Sequence, residues 1–210
     1  MEATRITTKE IQKTQELIDF IKKSPSCYHV IHNIAEELEE AGYEQLNEAK
    51  EWTLRKGGRY FVTRNQSSLI AFTLPEETLG GFLICASHSD SPTFKLKSNY
   101  EMTVDDRYLK LNVEKYGGMI CSTWLDRPLS IAGRVVVNRK DGIESVLVNL
   151  DQDLCLIPNL AIHMNRQINE GYAYNAQKDM LPLLGEGTAK GKLKELLAEA
   201  AGVEEEALLG

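Results

Sequence analysis

The sequence lacks several features that would assign it to a special class of protein. No continuous apolar run approaches the ~18 residues that a membrane-spanning helix needs, and the longest runs, such as residues 81–86, are short and typical of strands. Residues 1–20 lack the apolar core and cleavage site of a signal peptide, and they predict an amphipathic helix instead. We therefore expect no membrane partner and a cytoplasmic protein.

Cysteine is scarce and scattered. The 4 cysteines, Cys27, Cys85, Cys121 and Cys155, include no Cys-x-x-Cys pair, which argues against both a zinc ribbon and a disulfide framework. Cys85 and Cys155 lie inside apolar runs, so we expect both to be buried, unreactive thiols.

An excess of basic residues is also absent. Lys and Arg together number 24 against 31 Asp and Glu, which gives a formal net charge of −7. Such a surface repels phosphate backbones and argues against a nucleic-acid partner. The chain has 210 residues, of which 42% are hydrophobic, so it is long and apolar enough to bury a core.

The residue pattern of the first part of the chain predicts an α/β structure. Apolar periodicity indicates one helix that ends at Ser24-Pro25 and a second that ends near Gly42. Strand-like runs follow at residues 59–63, 68–73 and 81–87. The run at residues 81–87 is the most apolar, which predicts a central strand that is buried on both faces.

From about residue 99 the pattern becomes β-rich. Short strands are predicted at residues 107–113, 120–125, 129–138 and 145–151, with turns of Gly-Gly, Arg-Pro and Asp-Gly between them. A helical pattern returns at Thr188 and ends at Gly202. The apolar run at residues 207–209 near the last residue suggests a chain cut from a longer one.

The strongest chemical signal is His88-Ser89-Asp90, which follows the most apolar strand-like run. In open α/β sheets ligands bind beyond the carboxyl ends of the strands, and a histidine there can bind a metal while an acceptor holds its second ring nitrogen. A histidine and an aspartate at this spacing form a hydrogen-bonded structural pair more often than a metal site. The motif alone therefore leaves both interpretations open.

Four motifs of the chain, which follow one another in the family's order, resemble the aspartyl aminopeptidase family of di-zinc metallopeptidases. Residues 86–97, Ala-Ser-His-Ser-Asp-Ser-Pro-Thr-Phe-Lys-Leu-Lys, resemble its His-Thr-Asp-Ser-Pro signature, with Ser89 in place of the usual threonine. Residues 116–118 and 123–135 resemble its Trp-Leu-Asp-Arg block, and residues 157–166 resemble its Pro-x-Leu-Ala-Ile-His block. Residues 24–29, Ser-Pro-Ser-Cys-Tyr-His, are similar to its opening motif.

The resemblance implies a metal-dependent aminopeptidase that uses two zinc ions to activate water. The implied reaction removes the N-terminal residue of peptide substrates, with an acidic residue as the implied preference. It implies that His88 is a metal ligand, that Asp90 orients His88 from behind, and that His163 acts in the active site of a neighbouring subunit. It also implies a homo-oligomer in which dimers, formed through the β-rich domain, assemble into a dodecameric shell.

The implied fold is a portion of a zinc-peptidase-type α/β/α sandwich with an inserted β-rich dimerisation domain. We expect residues 1–98 to belong to the peptidase domain, residues 99–187 to form the insert, and residues 188–210 to return to the peptidase domain as a helix. Family members are about twice this length and carry their remaining metal ligands further on. The 210-residue chain alone is therefore expected to be inactive.

Other residues have plainer interpretations. His29 and His32 are expected to have surface or capping roles, and Asp126-Arg127 to form a structural ion pair or turn. Lys95 and Lys97 share one face of an extended segment, where a solvated face is at least as plausible as a role in attracting an acidic substrate. Without the resemblance, His163 in its apolar run would be interpreted as a partly buried structural residue.

Two other functional classes compete with the enzyme. In the first, the chain is a non-catalytic oligomerisation module or the remnant of such an enzyme. The second, a nucleotide-binding α/β domain, is disfavoured because no strand is followed by a glycine-rich turn and a helix.

Overall fold

The computed structural model describes residues 7–78 and 80–210, which fall into two compact units that meet in sequence between Asp90 and Ser91. The first unit contains two helices and a three-stranded sheet, and the second contains the remaining strands and one helix. The mixed α/β class predicted from the sequence is therefore confirmed. Residues 1–6 of the predicted N-terminal helix lie outside the described residues.

Two helices begin the first unit. Helix α1 spans Thr8–Lys23, is closed at its start by a capping box between Thr7 and Glu10, and ends before Pro25 as predicted. Helix α2 spans Cys27–Glu40, and the backbone turns away at Gly42, whose φ of 82° suits glycine. The buried side-chain amide of Asn33 joins the helices by donating to the Lys23 carbonyl at 3.0 Å and the Ser24 hydroxyl at 2.9 Å.

The sheet of the first unit has three strands, β1 at Glu44–Leu46, β2 at Arg59–Arg64 and β3 at Ser68–Thr73. Strand β2 lies between the others, parallel to β1 and antiparallel to β3. Tyr60 and Phe61 of β2 are fully buried. The first two of the three strands expected here are thus present within one residue of their predicted bounds.

The third expected strand is absent, and the prediction of a buried central strand at residues 81–87 is wrong. Residues 80–92 have no helix or strand, and Phe82, Leu83 and Ile84 are exposed, Leu83 completely at 103%. A central strand needs a hydrogen-bonded neighbour on each side. Among the described residues, no strand pairs with this run.

The second unit is built on two antiparallel sheets. Strand β4 at Thr93–Val104 pairs with β5 at Tyr108–Tyr116, and β5 also pairs with β8 at Leu183–Glu186. Strand β6 at Ala132–Arg139 forms a hairpin with β7 at Gly142–Asn149. Residues 208–210 extend the hairpin sheet, since the Leu209 amide donates to the Val136 carbonyl at 2.8 Å and Val137 bridges Leu208.

Helix α3 spans Lys192–Ala201 and ends at Gly202, which has a φ of 64°. Its apolar face packs with β5, β6 and β7 in one hydrophobic core. The buried residues of this core are Leu111, Val113, Val135, Val137, Val148, Cys155, Leu181, Leu193, Leu197 and Ala201.

These contacts differ from the domain division expected from the sequence. The β-rich unit begins at Ser91 rather than at residue 99, because β4 starts at Thr93 and pairs with β5 at residues 93–96 and 101–104. Residues 188–210 were expected to return to the peptidase domain, but α3 packs within the β-rich unit because its leucines complete that unit's core.

One predicted strand of the second unit is a turn. Residues 120–125 contain a short 3₁₀ segment, Cys121–Trp124, instead of a strand. The Thr123 hydroxyl and amide both donate to the Ile120 carbonyl, at 2.7 Å and 3.3 Å. Such local hydrogen bonds by a threonine compete with strand pairing.

Candidate metal centre

His88 lies in the first unit, on the segment without regular structure that follows β3. Its side chain is 82% exposed, and its ring Nδ1 lies 2.8 Å from the backbone oxygen of Asp90 and 3.2 Å from Asp90 Oδ1. The separation of two residues thus brings the imidazole and the carboxylate together, as the sequence predicted.

These contacts favour one tautomer of the neutral imidazole. Both oxygens near Nδ1 are hydrogen-bond acceptors, so the neutral ring places its proton on Nδ1 and keeps a lone pair on Nε2. An imidazole whose other nitrogen donates to an oxygen is the usual form of a metal-ligating histidine. His88 therefore fits the role of a single metal ligand.

Ser89, between the two residues, anchors the segment. Its hydroxyl donates to the Ser67 carbonyl at 3.2 Å, next to the start of β3. This contact is not predictable from the sequence, because nothing in the residues around Ser67 indicates a partner so distant along the chain. The contact fixes the backbone of the His88 motif to the sheet that precedes it.

The donor set is incomplete in the described part of the chain. Residues 7–78 and 80–210 contain no group of three or more His, Cys, Asp and Glu side chains that could hold a metal ion. Protein zinc sites use three or four such ligands. The residues present thus fit one ligand and its hydrogen-bonded partner.

His163 lies in the second unit, in a turn closed by the Met164 amide, which donates to the Ala161 carbonyl at 2.8 Å. The residue is exposed, so the interpretation of a partly buried structural histidine is wrong. Leu160, Ile162 and Met164 around it are exposed as well. The apolar run that suggested burial is instead exposed on both sides of His163 in the sequence.

His29 and His32 have the local roles expected of them. Ser26 caps helix α2, and its hydroxyl contacts His29 Nδ1 at 2.8 Å and accepts from the His29 amide at 3.4 Å. Partial burial, with a smaller effect from neighbouring His32, lowers the pKa of His29. His32 pairs with Glu36 on the same helix at 3.4 Å.

Asp126 lies in a turn, as expected, with a left-handed φ of 54°. Lys95 and Lys97 lie on β4, where Lys95 stands over the Tyr116 ring and Lys97 donates to Gln177 Oε1 at 2.7 Å. Both lysines thus have partners within the second unit.

The two cysteines in apolar runs differ. Cys155 is buried as predicted, and burial raises the pKa of its thiol to about 11. Cys85 is exposed, so the prediction that it is buried is wrong. The reason is the missing strand: residues 81–87 have no sheet to cover them.

Among the described residues, no helix is long and apolar enough to span a membrane.

Comparison with known proteins places these motifs in context. The sequence profile described as "Aminopeptidase I zinc metalloprotease (M18)" matches residues 20–209. The chain is 49% identical over 180 residues to a probable M18 family aminopeptidase 2 of Clostridium acetobutylicum, a match that covers 84% of this chain and 42% of the relative.

Solved structures share the fold. Ape4, in a cryo-EM structure of its complex with Nbr1, superimposes with a TM-score of 0.88 at 33% identity over 99% of this chain and 45% of that one. The mApe1 dodecamer of S. cerevisiae superimposes with a TM-score of 0.74 at 30% identity over 92% of this chain and 45% of that one. The chain thus spans less than half the length of these relatives.

Proposed function

The chain belongs to the M18 family of aminopeptidases, as its motifs predicted, and we propose that it forms part of a zinc-dependent enzyme that removes N-terminal residues from peptides. The observation that carries the proposal is the contact of His88 Nδ1 with both oxygens of Asp90, at 2.8 Å and 3.2 Å. It leaves Nε2 as the ligating atom on an exposed side chain.

In this proposal His88 holds zinc, and Asp90 fixes the tautomer and orientation of His88. Bound zinc, two ions per site in the proposed enzyme, would polarise the scissile carbonyl and activate water. Zinc sites need further ligands, which the described residues do not group around His88. We propose that the remaining ligands lie outside the described residues, and that the 210-residue chain by itself binds zinc weakly and lacks activity.

We assign His163 to the active site of a neighbouring subunit. His163 belongs to the β-rich unit while His88 belongs to the other unit, and exposed apolar residues, Leu160, Ile162 and Met164, surround His163. Exposed apolar groups of this kind are typical of surfaces that contact another protein. An imidazole N–H supplied there would stabilise the developing oxyanion, an effect of about 2.7–4 kcal/mol for a well-placed donor.

The β-rich unit is, in this proposal, the part that joins subunits into a dimer and then into a larger shell. The M18 protein mApe1 of S. cerevisiae forms a dodecamer, which supports the proposal by likeness. The substrate is a peptide with a free N-terminus, and an acidic first residue is the proposed preference. Four unpaired cysteines suit the reducing cytoplasm as the proposed location.

A second candidate function is a non-catalytic oligomerisation module. The incomplete set of metal ligands among the described residues favours it. The mass of the native protein separates the two: an enzyme requires a polypeptide of about family length, whereas a module of the present length does not.

The test uses zinc titration calorimetry and an aminopeptidase assay. The 210-residue chain should show no tight stoichiometric zinc site, and a tight site that His88→Ala abolishes would contradict the proposal. In a protein of the full length of the M18 relatives, here called the family-length protein, His88→Ala should remove one zinc and nearly all activity.

Two further variants sharpen this test in the family-length protein. Asp90→Asn should keep more of the metal but lower turnover by ~10–100-fold, because partners of ligating histidines tune affinity and basicity to that extent. His32→Ala is the matched control, since His32 is an exposed histidine of the same unit and should leave zinc and turnover unchanged. Wild-type turnover in Asp90→Asn would refute the orienting role.

A further inference from the structure

We infer that Asp126 is a positioning residue for His163, an inference that rests on the proposed role of His163. The Asn159 amide donates to Asp126 Oδ1 at 2.9 Å, and the Asp126 amide donates to the Ile157 carbonyl, also at 2.9 Å. One residue thus holds the segment that leads to His163 through both its backbone and its side chain.

The two segments that these hydrogen bonds join are also held together by backbone bridges within the second unit. Leu125 bridges Ile157 in parallel, and Leu129 bridges Cys155 in antiparallel fashion, so the chain on both sides of Asp126 is bonded to residues 155–157. Ile157 is fully buried. The frame from which the aspartate reaches Asn159 is therefore rigid.

Asn159 is the last residue of the His163 segment that this frame holds. Asn159 Oδ1 accepts from the Leu160 amide at 2.9 Å, and the turn over residues 161–164 follows directly. Without the Asp126 carboxylate, Ile157 would be the last residue of this segment that a hydrogen bond to Asp126 holds. The exposed stretch that carries His163 would then start two residues earlier, with more freedom at its tip.

The backbone of Asp126 supports the same interpretation. Its φ of 54° lies in the left-handed region, where most side chains are strained but Asp and Asn are tolerated. Residues held in that region persist where the surrounding structure requires them, and they concentrate at functional sites. Here the left-handed turn brings the carboxylate to the Asn159 amide.

These two properties, the acceptor oxygen and the left-handed backbone, can be separated by substitution. Asp126→Asn keeps both, Asp126→Gly keeps only the backbone, and Asp126→Ala keeps neither. Asp105→Ala is the matched control, because Asp105 is also exposed and has a left-handed φ of 50° but lies in the turn between β4 and β5.

The measurement is amide hydrogen exchange in the 210-residue chain, together with the NMR signals of the four imidazole rings. Asp126→Gly should raise exchange at least about tenfold at Asn159 and Leu160 and shift the His163 ring signals, with β5, β6 and β7 unchanged. Asp126→Asn should restore wild-type behaviour, and Asp105→Ala should leave residues 157–164 unaffected. Asp126→Ala should show the same increase in exchange as Asp126→Gly. If the alanine variant fails to fold, the result for Asp126→Gly alone tests the inference.

Wild-type exchange in Asp126→Gly, or an equal rise throughout the second unit, would overturn the inference. Turnover of the family-length enzyme separates this failure from that of the proposed function. If Asp126→Gly loosens the segment but His163→Ala keeps full turnover, the role of His163 is wrong and the anchor stands. If His163→Ala loses turnover while Asp126→Gly keeps it, the positioning role is wrong.

Discussion

Two apolar runs, each with a cysteine inside it, have opposite surroundings in this protein. Residues 153–157 of the second unit place Cys155 beside Leu129, whose carbonyl accepts from the Cys155 amide at 3.2 Å, and Cys155 and Ile157 are buried. In the first unit the run at residues 82–86 has no paired strand, and Cys85 is exposed together with Phe82, Leu83 and Ile84.

The difference shows that burial depends on a partner as well as on composition. The second unit supplies its own partners, since β5, β6, β7 and α3 share one core. The apolar run of the first unit has a composition suited to a buried strand but finds no neighbour among the described residues. Since His88 follows this run directly, the proposed metal ligand lies beside the exposed apolar residues of the first unit.

The largest expected effect comes from leucine truncation in the two regions. Leu193 of α3 is fully buried, so Leu193→Ala should lower the free energy of unfolding by about 2–5 kcal/mol. Leu83 is fully exposed, so Leu83→Ala should change it by no more than about 0.5 kcal/mol. Urea unfolding of both variants measures the difference. Equal losses in the free energy of unfolding would show that Leu83 and Leu193 are buried to the same extent.

Thiol labelling should also distinguish the two regions, through the difference between the reaction rates of Cys85 and Cys155. Burial raises the pKa of Cys155 to about 11, so only about 0.1% of it is thiolate at pH 8, and its sulfur is also shielded. Cys85 is exposed and should react with iodoacetamide at least about 30-fold faster. Cys85→Ser should remove the fast phase in mass spectrometry, and a slow Cys85 would mean that the run is covered.

These contrasts also mark how far the sequence predicts the fold. Helical periodicity and the stops at Gly42 and Gly202 predicted α1, α2 and α3, because those signals are local. The error at residues 81–87 arose because a strand also needs its neighbours. The error at residues 120–125 arose because the hydrogen bonds of Thr123 outweigh strand pairing there.

The candidate site divides in the same way. The His88–Asp90 contact was predictable because the two residues are neighbours in sequence, and the structure gives the expected proximity. The Asp126–Asn159 hydrogen bond joins segments 33 residues apart, which no local pattern indicates. From its apolar neighbours alone His163 was expected to be partly buried, and the structure exposes it.

The smallest expected effect is a pH dependence of stability that comes from His29 in the first unit. Partial burial, and then His32, lower the pKa of His29 in the folded state, so the folded chain binds fewer protons than the unfolded chain near that pKa. The contribution of His29 to stability is therefore full above the unfolded pKa of about 6.5 and falls as the pH decreases below it.

Replacement of His29 should flatten this dependence. His29→Gln should lose less thermal stability between pH 7 and pH 5 than the wild type, as measured by the melting temperature. Gln167→Ala in the second unit is a control that should keep the wild-type slope. An unchanged slope in His29→Gln would contradict the burial of His29.

The most direct test of the account mixes two inactive variants of the family-length protein, His88→Ala and His163→Ala. If His163 serves the metal site of its neighbour, a mixed dimer pairs an intact His88 in one subunit with an intact His163 from the other. Co-refolded mixtures should then regain about a quarter of wild-type turnover, because half of randomly formed dimers are mixed and each has one complete site. Mixtures that stay inactive while mass spectrometry detects mixed dimers would contradict the division of the site between subunits.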